Sequence, residues 1–437
     1  MNILGKLFSN KIARNASWLI LGRVIQMLAG VLIGILTARY LGPSNYGLIN
    51  YTAAYSAFFT SLCTLGLNSI LVKELLDNPD KEGEVLGSAL FLRFISSTLS
   101  YITILCVIHI VDADDPIVFI VALLNCFSLV INVFDSFNYW FQSKLESKTT
   151  AAASLVGYLC TCLYRIILLI TEQNILWFAF AATLDYLCVA IILYFNYRKR
   201  NGPKLRISKE RCRDLLAKGH HFILTGLIVA VYGYTDKFML KQMLSNEAVG
   251  FYTTASTTCS LWCFVLSAII DSMYPVIVEN HQKGTDAFEQ SNKQLYAIVI
   301  YAATFVSLVI TIFASGIINI IYGESFSGSI IPLRILTWQT SFCYLGVARD
   351  LWVICEGKQK ALKYLYIPSA ILNVILNLFL IPIWGSSGAA FASLITQISS
   401  ILVIPLFIKE LRKNVFLILQ SLNPRVLTGL ISNLLKK

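Results

Sequence analysis

The chain has 437 residues, of which 57% are hydrophobic and only 14% charged, too much apolar surface to hide inside one water-soluble core. Its net charge of +11 is spread through segments flanking apolar runs rather than gathered in a soluble basic domain, which excludes a nucleic-acid-binding module. What remains is an all-α integral membrane protein with most of its surface in lipid.

Residues 1–15 place Ile3, Leu4, Leu7, Phe8 and Ile12 at helical spacing among Lys6, Lys11 and Arg14, the pattern of a short helix lying on the membrane surface. The next run contains Arg23 and has no small-residue cleavage site behind it, so it is expected to stay as the first membrane helix. Twelve runs long enough to cross about 30 Å of hydrocarbon follow one another. They are Ala16–Ala38, Tyr46–Leu71, Val85–Val111, Ile117–Phe141, Thr149–Ile170, Ile175–Tyr197, His221–Met243, Val249–Val276, Leu295–Ile318, Ile330–Ile354, Leu362–Ile381 and Trp384–Ile408. Run length, without the strict alternation of a barrel strand, predicts helices.

The twelve divide six and six about the basic segment 198–218, giving an N-terminal bundle over 16–197 and a C-terminal bundle over 219–409. The segment 198–218 is expected to set topology and touch anionic headgroups. The tail 410–437 is too short in its apolar runs to span again. Its Leu427, Leu430, Ile431, Leu434 and Leu435 share one helical face, so an interfacial amphipathic helix is expected. Most of the 35 Lys and Arg lie at the amino terminus, in the even-numbered loops and in the tail, while the opposite loops carry almost none. Both termini are therefore predicted to be cytoplasmic.

The stretch Leu41-Gly42-Pro43-Ser44-Asn45-Tyr46-Gly47 is echoed by Leu244-Ser245-Asn246-Glu247-Ala248-Val249-Gly250, and each opens a helix rich in Tyr, Thr, Ala and Ser. Two halves entering the membrane in the same sense would be related by an axis along the bilayer normal. The run Thr37-Ala38-Arg39-Tyr40 continuing into Leu41–Gly47, with Leu65-Gly66-Leu67 after it, resembles the polysaccharide transporter family that includes O-antigen flippases. That family belongs to the multidrug, oligosaccharidyl-lipid and polysaccharide exporter superfamily. Asp236, then Val249-Gly250-Phe251-Tyr252, and Gly385-Ser386-Ser387-Gly388-Ala389-Ala390 carry the resemblance into the second half. It implies two six-helix bundles around a central cavity, alternating access, and undecaprenyl-pyrophosphate-linked oligosaccharide as substrate in a bacterial inner membrane. A polysaccharide polymerase and chain-length partners are implied as neighbours.

Independently of family, charges fall inside apolar spans. Arg23, Arg93, Arg165, Lys237, Arg334 and Arg349 are placed there, with Arg39 and Lys241 at helix ends. A cation at a helix centre costs roughly 2.5 to 3.5 kcal/mol on insertion scales, so a water-filled lumen or a buried acidic partner is expected. Residues near an end, Arg334 and Arg349 among them, can also snorkel. Given the substrate implied, these cations would replace the hydration of a pyrophosphate with charge-assisted hydrogen bonds. Asp135, Asp185, Asp236 and Asp271 are the acidic counterparts, for charge pairing or for coupling to a proton or sodium gradient.

Eleven cysteines without a CxxC pair, four scattered histidines and no phosphate-binding glycine loop give no sign of a disulfide framework, a metal site or ATP use, and no cofactor is expected. Two rivals share the hydropathy pattern. A small-molecule or multidrug antiporter of the same superfamily fits a cationic lumen poorly. A membrane-embedded polysaccharide polymerase would need a substantial outer loop bearing catalytic groups, and the outer loops are short. The chain therefore reads as a transporter, not an enzyme.

Overall fold

The computed structural model describes the backbone of residues 11–426, with side chains from residue 26 onward apart from 28 and 225. Each of the twelve expected spans falls on helix, and the regular structure of the described residues is entirely helical. The apolar positions expected at 3 to 8 and at 427 to 435 lie outside the described residues.

Helix α1, Lys11–Thr64, carries the first two spans. Its 54 residues would stretch about 80 Å if straight, far more than a bilayer core, and Gly42 breaks it. There φ is 72° and ψ 171°, a setting essentially reserved for glycine, and Pro43 opens the next stretch with φ already set. After α2, Leu71–Asp77, comes α3, Glu82–Val111. The fourth span is segmented into α4 (Pro116–Cys126), α5 (Ser128–Ile131), a 3-10 turn (Asn132–Asp135) and α6 (Ser136–Ser143). Helices α7, Ser147–Ile170, and α8, Ile175–Lys199, complete the first six spans.

Helix α9 runs Lys209–Met243 and α10 Asn246–Ser260, the latter capped by Ser245 Oγ accepting from Ala248 N at 3.2 Å. The eighth span is interrupted at Leu261 and Trp262 before α11, Cys263–Lys283. Thr258 Oγ1 donates back to Thr254 O at 2.8 Å and Ser260 Oγ to Thr257 O at 2.6 Å, bonds that compete with the helical ladder where it ends. Then follow α12 (Thr285–Ile321), α13 (Ile330–Cys355) and α14 (Lys363–Ile398), which bends at Gly385 with φ 60°. A π turn, Ser399–Val403, leads to a 3-10 turn, Ile404–Phe407, as the ring of Pro405 removes an N–H from the ladder. Helix α15, Lys409–Ser421, follows, and the described chain ends in a turn and a few helical residues at 422–426.

The chain divides into two compact units, one of Met1–Leu41 with Leu48–Tyr234, the other of Gly42–Gly47 with Thr235–Lys437. In the first, Leu67, Leu71, Leu86, Phe137, Phe141 and Tyr197 form a core around buried Glu82, which accepts from Trp140 Nε1 at 3.0 Å and pairs with Lys144. The segment between α8 and α9 belongs to this unit and lies as an extended strap against α3. Arg206 N donates to Gly83 O at 3.0 Å, and Ser208 N donates to Ser88 Oγ at 3.1 Å. A Cβ on Gly83 would meet Lys204 O at 2.3 Å, and one on Gly87 would meet Arg206 O at 2.4 Å, so only glycines admit the strap.

In the second unit, Ile270, Leu295, Tyr296, Trp352, Leu365 and Ile418 share one core. Amphipathic α15 buries Leu411, Val415 and Ile418 there, and Asn414 Nδ2 donates to the buried Tyr296 hydroxyl at 2.6 Å. The two echoed stretches pack on each other in this unit. A Cβ on Gly47 would fall 1.8 Å from Asn246 O, and one on Gly250 would fall 2.0 Å from Pro43 O. The contact is reciprocal: each turn offers a glycine to the same position of the other.

Candidate functional site

Asp236 sits on α9 in the second unit and is 5% exposed. A carboxylate buried there needs donors, and two other helices supply them. Its Oδ2 accepts from the Tyr252 hydroxyl of α10 at 2.5 Å and from Ser393 Oγ of α14 at 2.5 Å. Its Oδ1 accepts from Asn377 Nδ2 at 2.6 Å, and the same amide donates to Asn373 Oδ1 at 3.1 Å. Ser393 lies beyond the Gly385 bend, so the two stretches of α14 both reach the carboxylate. Asn377 Oδ1 is buried without a hydrogen-bond partner among the described residues. The result is one buried negative charge satisfied by two hydroxyls and an amide drawn from α10 and α14. Lys237, next in sequence, is partly exposed and lies close enough for its charge to act on Asp236.

The first unit holds a second acidic site. Asp135 and Asp185 line one cavity of about 210 Å³ together with Gln26, Asn132, Ser154 and Tyr158. Asp185 Oδ1 is buried and has no hydrogen-bond partner among the described residues, while Asn138 Nδ2 reaches Asp135 Oδ1 at 3.4 Å. Arg93, 1% exposed, lies beside the cavity wall, donating from Nη1 to Ser136 Oγ at 2.9 Å and from Nη2 to Asn132 O at 3.2 Å. Asp271, in contrast, is exposed on α11 and joins neither cluster.

The cations expected to act together do not share one environment. Arg349, 2% exposed, is clamped: Nε and Nη2 donate to Asp350 Oδ1 at 3.2 and 2.9 Å, and Nη1 donates to Ser400 O in the π turn at 3.2 Å. The Tyr366 hydroxyl closes the ring on Asp350 Oδ2 at 3.0 Å. Arg334 is exposed near the start of α13, with Nη2 3.5 Å from Ser315 Oγ. Arg39 is exposed, and Arg165 and Lys241 are partly so. The Arg23 side chain lies outside the described residues.

Sequence reasoning found Asp236 from its charge but missed Tyr252, Asn373, Asn377 and Ser393 as its partners. One signal was present: Asn373 and Asn377 stand one helical turn apart inside an otherwise apolar run, a spacing that puts both amides on one face.

Residues 12–281 match the family described as "Polysaccharide biosynthesis protein". Among curated proteins, the chain is 22% identical over 392 residues to a "Putative O-antigen transporter" of Escherichia coli (strain K12), covering 87% of this chain and 92% of that one. It is 20% identical over 423 residues to an uncharacterized membrane protein of Methanocaldococcus jannaschii, covering 88% and 82%. Among solved structures it resembles the lipid II flippase MurJ in an inward closed conformation, with TM-score 0.72 at 14% identity over 92% of this chain and 90% of that one. It also resembles an inward-facing multidrug resistance MATE family transporter of the MOP superfamily, with TM-score 0.69 at 15% identity over 89% and 96%. A match over more than half the chain, together with this shared fold, makes the protein a member of the polysaccharide biosynthesis protein family, built on the transporter fold of the MOP superfamily.

Proposed function

We propose that this protein is a flippase that moves a lipid-linked oligosaccharide, carried on undecaprenyl pyrophosphate, from the cytoplasmic to the periplasmic leaflet of a bacterial inner membrane. Support for the substrate class comes from family membership and from a relative named as an O-antigen transporter that aligns over nearly its whole length. The observation that carries the mechanism is the buried Asp236 network. A carboxylate held by Tyr252, Asn377 and Ser393 gathers α9, α10 and both stretches of α14 on a single titratable or cation-binding charge. Occupancy of that charge by a proton or sodium ion would change which helices are tied together, and in this reading it couples transport to an ion gradient. Arg349 is engaged with Asp350 and Arg93 with Ser136, so in this reading neither of those two meets the pyrophosphate.

The test is reconstitution into proteoliposomes with a pyrophosphate-linked oligosaccharide in the outer leaflet and an imposed proton or sodium gradient. Protection of the glycan from an external glycosidase, dependent on one gradient, is expected. A chain that leaves the glycan accessible but expels a lipophilic cation would be an antiporter instead.

A further inference from the structure

We propose that the cleft between α3 and the strap ahead of α9 is a binding site for one anionic phospholipid. The cleft is about 350 Å³, and Leu90, Phe91 and Phe94 of α3, Phe134 of the 3-10 turn, and Leu205 and Ile207 of the strap line it. Phe94 is 53% and Ile207 61% exposed, so the cleft opens outward, to hydrocarbon. Its floor begins at Gly87, five residues or about 8 Å along α3 from its start.

The strap is a built feature. The strap is joined to α3 at two points, by Arg206 N on Gly83 O and by Ser208 N on Ser88 Oγ, and Tyr197 holds its beginning through a hydrogen bond to Pro203 O. Along extended chain, alternate side chains face opposite ways. Leu205 and Ile207 thus line the cleft, while Lys204 and Arg206 stand exposed beside it, with Lys209 exposed at the start of α9. Acidic neighbours are fewer: Glu84 and Glu210 are accessible, and Glu82 is already paired with Lys144. A hydrocarbon slot with a basic edge, at the boundary of the bilayer, matches a lipid with one negative headgroup. It matches a zwitterionic one less well, since that lipid gains little from the cations.

The purified full-length chain, offered equimolar palmitoyl-oleoyl phosphatidylglycerol and phosphatidylcholine in detergent, is weighed intact by native mass spectrometry. Phosphatidylglycerol adducts should dominate at low salt and fade as salt rises. Two surface cations contribute about fivefold each, so Lys204→Gln with Arg206→Gln should cut the preference by about twenty-five-fold. These positions are exposed, and an unchanged melting curve verifies folding. Gly87→Ala, which pushes the strap off, should lower retention of both lipids. Equal retention of the two lipids by the native chain, an unaltered preference in the double variant, stronger retention of undecaprenyl phosphate than of phosphatidylglycerol, or a lipid-free dimer would each overturn the proposal.

Discussion

A charged group in an apolar helix is defined by its neighbours, and three buried charges show three outcomes. Arg349 is neutralised within its own turn by Asp350 and used to hold the loosened π turn through Ser400 O. Arg93 donates to uncharged acceptors, Ser136 Oγ and Asn132 O, with the Asp135 charge nearby, and its Nε remains without a hydrogen-bond partner among the described residues. Ser136→Ala should therefore leave a second buried nitrogen unpaired and lower stability by about 1–3 kcal/mol, measured as an earlier thermal midpoint in detergent. Asp236 is held by three neutral side chains from two other helices. In Asp236→Asn the new amide can still accept from Tyr252 and Ser393, and its NH2 finds the orphan Oδ1 of Asn377 once that side chain flips. Folding should survive while the charge is gone, so gradient-driven transport should fall at least about tenfold, equivalent to some 1.4 kcal/mol of coupling, with little change in melting. Equal rates with and without a gradient in the native protein would remove the coupling role. The charges themselves were legible in the sequence because each interrupts an apolar run. Their partners were not, since an Asn, Ser or Tyr two helices away carries no mark of whom it meets.

At the scale of elements, run length was enough to place every span, because a bilayer admits backbone only where its hydrogen bonds close locally. Interruptions were harder to read. The break at Leu261 and Trp262 arises from hydroxyl groups bonding back into the helix, and the π turn from Pro405, neither of which disturbs mean hydropathy. The strap was hidden for a different reason: a basic segment reads as solvated linker unless the glycines that receive it, Gly83 and Gly87, are recognised as its seat. Gly42 and Gly385 are the bends on which two pairs of spans depend. Gly42→Ala should cost about 1–3 kcal/mol because a Cβ at φ 72°, ψ 171° clashes with its own backbone, with open space around it offering no relief. The expected readout is reduced folded yield, with a melt well below that of Gly34→Ala, where φ is ordinary and nothing lies within 4 Å of the added carbon.

For the whole molecule, the distribution of Lys and Arg makes a prediction about sidedness. Single cysteines placed at exposed Lys204 and Lys409 in a cysteine-free background should label only after the inner membrane is opened, whereas one at Asp114 should label in intact spheroplasts. The reverse pattern would invert the assigned direction of transport. Fold and family were both accessible from hydropathy and a few loose motifs. The substrate's sugars leave no trace that composition can show. The reciprocal seating of Gly47 on Asn246 and Gly250 on Pro43 carries a consequence for how such a chain can drift over generations. A bulkier residue at either glycine spreads a junction that its counterpart also uses, so neither site can relax alone. Tolerated changes should arrive as matched pairs, and a library randomised at both positions should return survivors whose sizes are correlated. The likeness of the two turns would then be held in place by sterics.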